Sequence, residues 1–137
     1  MKMFLSLVTV FFLHACCGGL ALAYPTGPVK PGSLIIKTAV IPNAGTTSAA
    51  IDLQGYTLVG LRVATMTGTA ITYTMSDTFA GTYVAVHNSS GAVSTTVADD
   101  LYYAVDSNNF KGLQFIKLVS GSSEGAERTV YLYLRGI

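Results

Sequence analysis

A chain of 137 residues with 8 Lys and Arg, 7 Asp and Glu and a formal net charge of +1 is one domain, long enough to bury a core without disulfide staples. The balance excludes a charge-driven nucleic-acid binder, because Lys30, Lys37, Arg62, Lys111, Lys117, Arg128 and Arg135 are scattered and form no run that could displace counterions along a phosphate backbone. Only 11% of the residues are charged and 50% are hydrophobic, so partners or neighbouring subunits are expected to cover much of the surface.

Residues 1–23, MKMFLSLVTVFFLHACCGGLALA, combine a basic Lys2, an apolar stretch from Phe4 to Leu13 and the small-residue pattern Ala21-Leu22-Ala23. This is the arrangement of a secretory signal peptide, and it is too short and Gly-interrupted for a membrane span. Two other readings stay open. One is a lipoprotein signal acylated at Cys16, in which His14 fits poorly; the other is an apolar arm kept in an assembly. Both cysteines, Cys16 and Cys17, fall in this leader, so the domain after it has neither thiol nor disulfide and cysteine use is silent on redox compartment. Residues 24–33, YPTGPVKPGS, hold three prolines and two glycines and read as an extended linker.

The domain proper spans 34–137. Short apolar pieces alternate there with turn signals every 8–12 residues or so, which predicts an all-β, antiparallel, jelly-roll-like sandwich of about eight or nine short strands. The strands are placed at 34–41, 49–53, 56–65, 70–76, 82–87, 93–97, 101–105, 113–119 and 129–135. Gln54-Gly55 and Asn88 to Gly91 are turns, and DSNNFKG (106–112) makes one helical turn. Ile71, Tyr73 and Met75 alternate with Thr72, Thr74 and Ser76, and Val130, Leu132 and Leu134 alternate with Tyr131, Tyr133 and Arg135; this period of two marks half-buried strands. Leu58, Val59, Leu61 and Val63 point to both faces of a central, core strand. Gly60 within it signals a bulge or a close backbone approach.

Residues able to do chemistry are few. His87 is the one histidine outside the leader and has no Cys or second His to complete a zinc site, so it reads as a turn-flanking surface residue. Asp99-Asp100, with Asp106, could be a carboxylate pair or an oxygen-ligand cation site, but EF-hand spacing is absent and Asp closing a turn is the simpler account. No G-x-S-x-G elbow and no phosphate-binding glycine loop occurs. Asn88-Ser89-Ser90 is a glycosylation sequon that matters only in a eukaryotic secreted protein. No catalytic, cofactor-binding or metal residue is therefore assigned, and no cofactor or small-molecule substrate is expected. Tyr131 and Tyr133 stand out differently. On the last strand they either form an outward contact surface or cover a second sheet. Arg62, the charged residue of the central strand, is the third candidate for partner contact.

AAIDLQGYTLVGLRVA, ITYTMSDTFAGTYVAVHNSSG and YYAVDSNNFKGLQFIKLVSGSSEGAERTVYLYLR together resemble a family of small β-sandwich virion proteins of tailed bacteriophages. The matching elements are 51–60, 71–76, 77–81, 106–121 and 128–135, within a resemblance that covers roughly residues 34–137. It implies a non-enzymatic virion protein, first of all a capsid decoration (cement) protein that stabilises or decorates the head. Its partners would be the major capsid protein or other virion proteins, and it would be a homo-oligomer. A neck-, tail- or fibre-associated role is the near alternative. The leader departs from this pattern and motivates a further reading, an exported, secreted or periplasmic carbohydrate- or surface-binding module.

Overall fold

The computed structural model describes residues 29–137. The leader, Cys16 and the first half of the linker lie outside the described residues. Eleven strands follow in chain order: β1 (Leu34–Ile41), β2 (Ile51–Asp52), β3 (Tyr56–Val63), β4 (Ala70–Ser76), β5 (Val84–Ala85), β6 (His87–Asn88), β7 (Gly91–Ala92), β8 (Ser94–Thr96), β9 (Leu101–Ala104), β10 (Phe115–Ser120) and β11 (Arg128–Gly136). A single 3-10 turn, Ser107–Phe110, precedes β10 and is capped by the Asp106 side chain, which accepts from Asn108 N. It stands where one helical turn is expected.

The strands make an antiparallel sandwich. The first sheet has the order β1-β11-β3-β9 and the second β2-β10-β4-β5, with β8 also on β4. The chain crosses from one sheet to the other at β1–β2, β2–β3, β3–β4, β8–β9, β9–β10 and β10–β11. Alternation puts Leu58, Leu61, Val63, Val130, Leu132 and Leu134 of the first sheet against Ile71, Tyr73, Ile116 and Leu118 of the second, all buried in one core. Phe110 of the 3-10 turn plugs this core and meets the Tyr73 ring edge-on at 4.8 Å. Tyr73 shares a 2.6 Å hydrogen bond with Thr95, and burial pushes its phenol up to about 12.

Three expectations change. The strand expected at 82–87 breaks into β5 and β6, the one expected at 93–97 shortens to β8, and a further short strand, β7, forms at Gly91–Ala92. Val86 and Val93 turn into the core, Val86 N donates to Tyr73 O and Val93 N to Val86 O. As a result β5 and β8 occupy different stretches of β4, while β6 and β7 form a hairpin of their own. The 49–53 strand contracts to Ile51–Asp52, and Ser48 pairs with β10 instead, through Ser48 N to Leu118 O and Leu118 N to Ser48 Oγ. Finally, Val59 is only half-buried. The β3–β11 register slips here, Gly60 facing Tyr133 and Leu58 facing Leu134, so Val59 is the extra residue of a bulge.

One buried side chain joins the loops at one end. Glu124, in the β10–β11 loop, is 1% exposed. Its carboxylate accepts from Thr67 N (2.7 Å), Gly68 N (3.2 Å), Ser120 Oγ (2.6 Å) and Arg128 Nε (3.2 Å). Its backbone accepts from Ala44 N and donates to Gly45 O. Burial of the carboxylate opposes ionisation, but the donors of Ser120, Thr67 and Gly68 outweigh it and hold the pKa below the ordinary carboxylate value.

Glu124→Gln keeps the shape and removes the charge, so it should lower stability by about 2 kcal/mol at neutral pH. Because the folded pKa lies below the unfolded value of about 4.3, the carboxylate's contribution is complete above that value and lost as pH falls through the folded pKa. Urea midpoints of the wild type and the Gln variant should therefore converge in acid; a gap that stays constant there would rule out the carboxylate as the cause.

Candidate functional site

The two outward faces of the sandwich differ. On the second sheet, the loop of residues 77–83 folds back over β10. Phe79 meets Phe115 edge-on at 5.9 Å, Lys117 Nζ lies 4.0 Å from the centroid of the Tyr83 ring, and the Tyr83 hydroxyl donates to Phe79 O. The chain lays its own loop over part of this face, with Phe79 (63%) and Val84 (55%) still exposed.

Among the described residues nothing comparable covers the first sheet. Its registers set two rows across four strands. One row is Ile36, Tyr133, Gly60 and Ala104; the next is Thr38, Tyr131, Arg62 and Tyr102. Leu34 and Val40 extend the apolar side along β1. Leu34, Ile36 and Tyr102 are 59%, 57% and 54% exposed, large values for apolar side chains on one continuous sheet face. The three candidates Arg62, Tyr131 and Tyr133 thus come together, and the tyrosines point outward.

Gly60 explains how the rings fit. A Cβ there would collide with the hydroxyl end of Tyr102, so the glycine opens a floor on which Tyr102 lies. From that position it meets Tyr133 edge-on, centroids 5.0 Å apart at 81°. The Arg62 guanidinium sits 5.9 Å from the Tyr131 ring centroid and donates to Asp100 at 2.6 Å. That hydrogen bond raises the Arg62 pKa, and the pair leaves the middle of the face without net charge. The geometry suits docking of another apolar surface, with tyrosine rings supplying area at low entropy cost and hydroxyls at their ends.

Sequence reading misses Tyr102, Asp100 and Ile36 as members of this face. They join it only through cross-strand register, which no local pattern encodes. Asp100 has a positive φ of 53° in the turn before β9, where the turn reading is correct but omits the ion pair with Arg62. Asp99 serves separately, accepting from Met66 N, so the two acids do not converge on a shared ligand. His87 is exposed on β6, and Asn88 Oδ1 accepts from Ser90 N in the exposed hairpin turn. Among the described residues no group of three or more His, Cys, Asp or Glu is placed to hold a metal ion. A cleft of about 340 Å³ opens between β8 and β9, lined by Ser94, Thr95, Thr96, Asp106 and Asn109 among others.

A scan against protein-family models, a search of curated proteins and a search of solved structures each return no match, so the face itself carries the functional argument. Its design makes one prediction. Gly60→Ala should lift the Tyr102 ring off β3, weakening the near-ultraviolet tyrosine signal and costing about 1 kcal/mol of stability. An unchanged spectrum would show that Tyr102 does not rest on the glycine.

Proposed function

We propose that the chain is a non-enzymatic structural protein of a tailed-phage virion, a capsid decoration protein that docks on the major capsid protein or another virion protein. The observation that carries the reading is the uncapped apolar and aromatic face of the first sheet, with Arg62, Tyr131, Tyr133, Tyr102 and Ile36 in two registered rows. A decoration protein needs a stable, compact body and one broad adhesive side. The body is held by inward residues; the adhesive side is built from the outward residues of the same strands, and substituting these leaves the core untouched.

Mass spectrometry of purified particles should detect the chain. The double variant Tyr131→Thr with Tyr133→Thr places strand-favouring β-branched residues on β11 and should lose no more than about 2–3 kcal/mol of stability, yet it should be absent from particles. A wild-type chain missing from particles would overturn the proposal.

A second reading has one observation in its favour. The cleft between β8 and β9 sets hydroxyl, amide and carboxylate groups of Ser94, Thr95, Thr96, Asn109 and Asp106 beside the apolar Val93, Val105 and Phe110, a mixed lining of the kind that binds sugars, which supports an exported carbohydrate-binding module. Glycan-array binding that survives the tyrosine substitutions and is lost in Asn109→Ala would favour this reading over the virion one.

A further inference from the structure

The first sheet ends in an open strand. β1 pairs with β11 along one side, and no described strand pairs with the other. The bond from Gly136 N to Ser33 O fixes the parity of the ladder. Alternate pairs exchange backbone bonds in an antiparallel ladder, so Ile35, Lys37, Ala39 and Ile41 turn their amides and carbonyls to β11. Leu34, Ile36, Thr38 and Val40 turn theirs to the open edge. Those four residues also carry the exposed side chains of the outer face, so the edge presents free hydrogen-bonding groups and apolar surface in register.

Such edges are normally guarded by shortness, charge or proline. The other edge of this sheet, β9, has four residues and follows Asp99 and Asp100. β1 runs for eight residues, LIIKTAVI, without proline. Its one charge, Lys37, faces inward: Nζ donates to Asp52 O at 2.5 Å and does not project from the edge.

We infer that the occupant of this edge is a second copy of the chain, paired β1 to β1 in antiparallel fashion about a two-fold axis at Thr38. The strand is self-complementary in that register. Ile36 lies opposite the partner's Val40, Thr38 opposite the partner's Thr38, and Lys37 opposite the partner's Ala39. Thr–Thr and aliphatic cross-strand pairs are favourable. A two-fold axis at Lys37 would set like charges directly opposite, and one at Ile36 would replace the aliphatic pair with Leu34 against Thr38. Pairing joins two four-stranded sheets into one of eight and makes the two aromatic faces continuous. The chain's own preceding residues enter elsewhere. Val29 packs on the core beside Gly55 and Gly136, on the β11 and β3 side of β1, away from the open edge. The inference does not depend on the docking reading, since the edge pairs whatever the face binds.

The full chain tests it by sedimentation velocity together with hydrogen exchange. A dimer is expected at high micromolar concentration, with slowly exchanging amides at Ile36, Thr38 and Val40. Thr38→Pro removes a donor that β11 does not use and should give a folded monomer in which Ile36 and Val40 exchange freely. Ile36→Lys with Val40→Lys, which charges the edge without touching the backbone, should do the same. A wild-type monomer with open amides at these positions would overturn the inference. So would a monomer with protected amides, which would assign the edge to residues 1–28, and so would a dimer that survives both variants. The docking reading is tested separately by Tyr131→Thr with Tyr133→Thr, which leaves the β1 edge intact and should remain dimeric while losing particle binding.

Discussion

The carboxylate of Glu124 is the constraint on which the sandwich depends. Three of the crossings between sheets lie at one end of the molecule: β1 to β2 through Ala44 and Gly45, β3 to β4 through Thr67 and Gly68, and β10 to β11 through the loop of Glu124 itself. All three meet at this residue, by side-chain bonds to the second and third and backbone bonds to the first. A buried carboxylate costs several kcal/mol to desolvate, and it is tolerated here because four donors surround it. The same four donors would be left without an acceptor if it were lost. In a chain with few charges, one is spent where it fixes how the two sheets join.

With the loops joined, the register of β3 against β11 decides which residues face out. Leu58 and Leu61 are three positions apart and both fully buried, which a regular strand cannot achieve because residues of opposite parity point to opposite faces. The bulge at Val59 and Gly60 absorbs the odd residue, so that Leu58 meets Leu134 and Leu61 meets Leu132 across the ladder. The same bulge supplies the glycine floor for Tyr102. One irregularity therefore completes the core on the inside and seats an aromatic ring on the outside.

Much of this was legible in the sequence, and the gaps have physical causes. β4 and β11 are plain because their apolar and polar or aromatic residues alternate with a period of two; β4 falls on the expected residues, Ala70–Ser76. Gly60 was legible as a bulge or a close approach, and it is both. The hairpin turn at Asn88 to Gly91 was legible too, but the breaks at Val86 and Val93 were not, because both look like ordinary strand residues and act as pivots only because β4 offers two separate stretches for pairing. Glu124 was hidden for a similar reason. Its loop, SGSSEGAER, has the composition of an exposed linker, and nothing local tells a solvated Glu from one that receives amides more than fifty residues away. Of the outer face, Tyr131, Tyr133 and Arg62 could be picked out one at a time; their assembly with Tyr102, Asp100 and Ile36 belongs to register.

The contrast between the two outward faces bears most directly on function. Both sheets carry apolar outward residues, and among the described residues only the second is partly overlaid by its own chain. The 77–83 loop does this on the second sheet, laying Phe79 and Tyr83 over Phe115 and Lys117. The first sheet has no such loop among the described residues, although it carries a cluster of three tyrosines and the longest open edge. The one strong charge in its centre is neutralised by Asp100. Charged contacts lose strength with salt whereas apolar contact does not, so a face of tyrosines, isoleucine and a closed ion pair is suited to a permanent contact. The inward side of β11 holds the sandwich together through Val130, Leu132 and Leu134, while its outward side sets Tyr133 against Tyr102 and Tyr131 beneath Arg62 on the outer face.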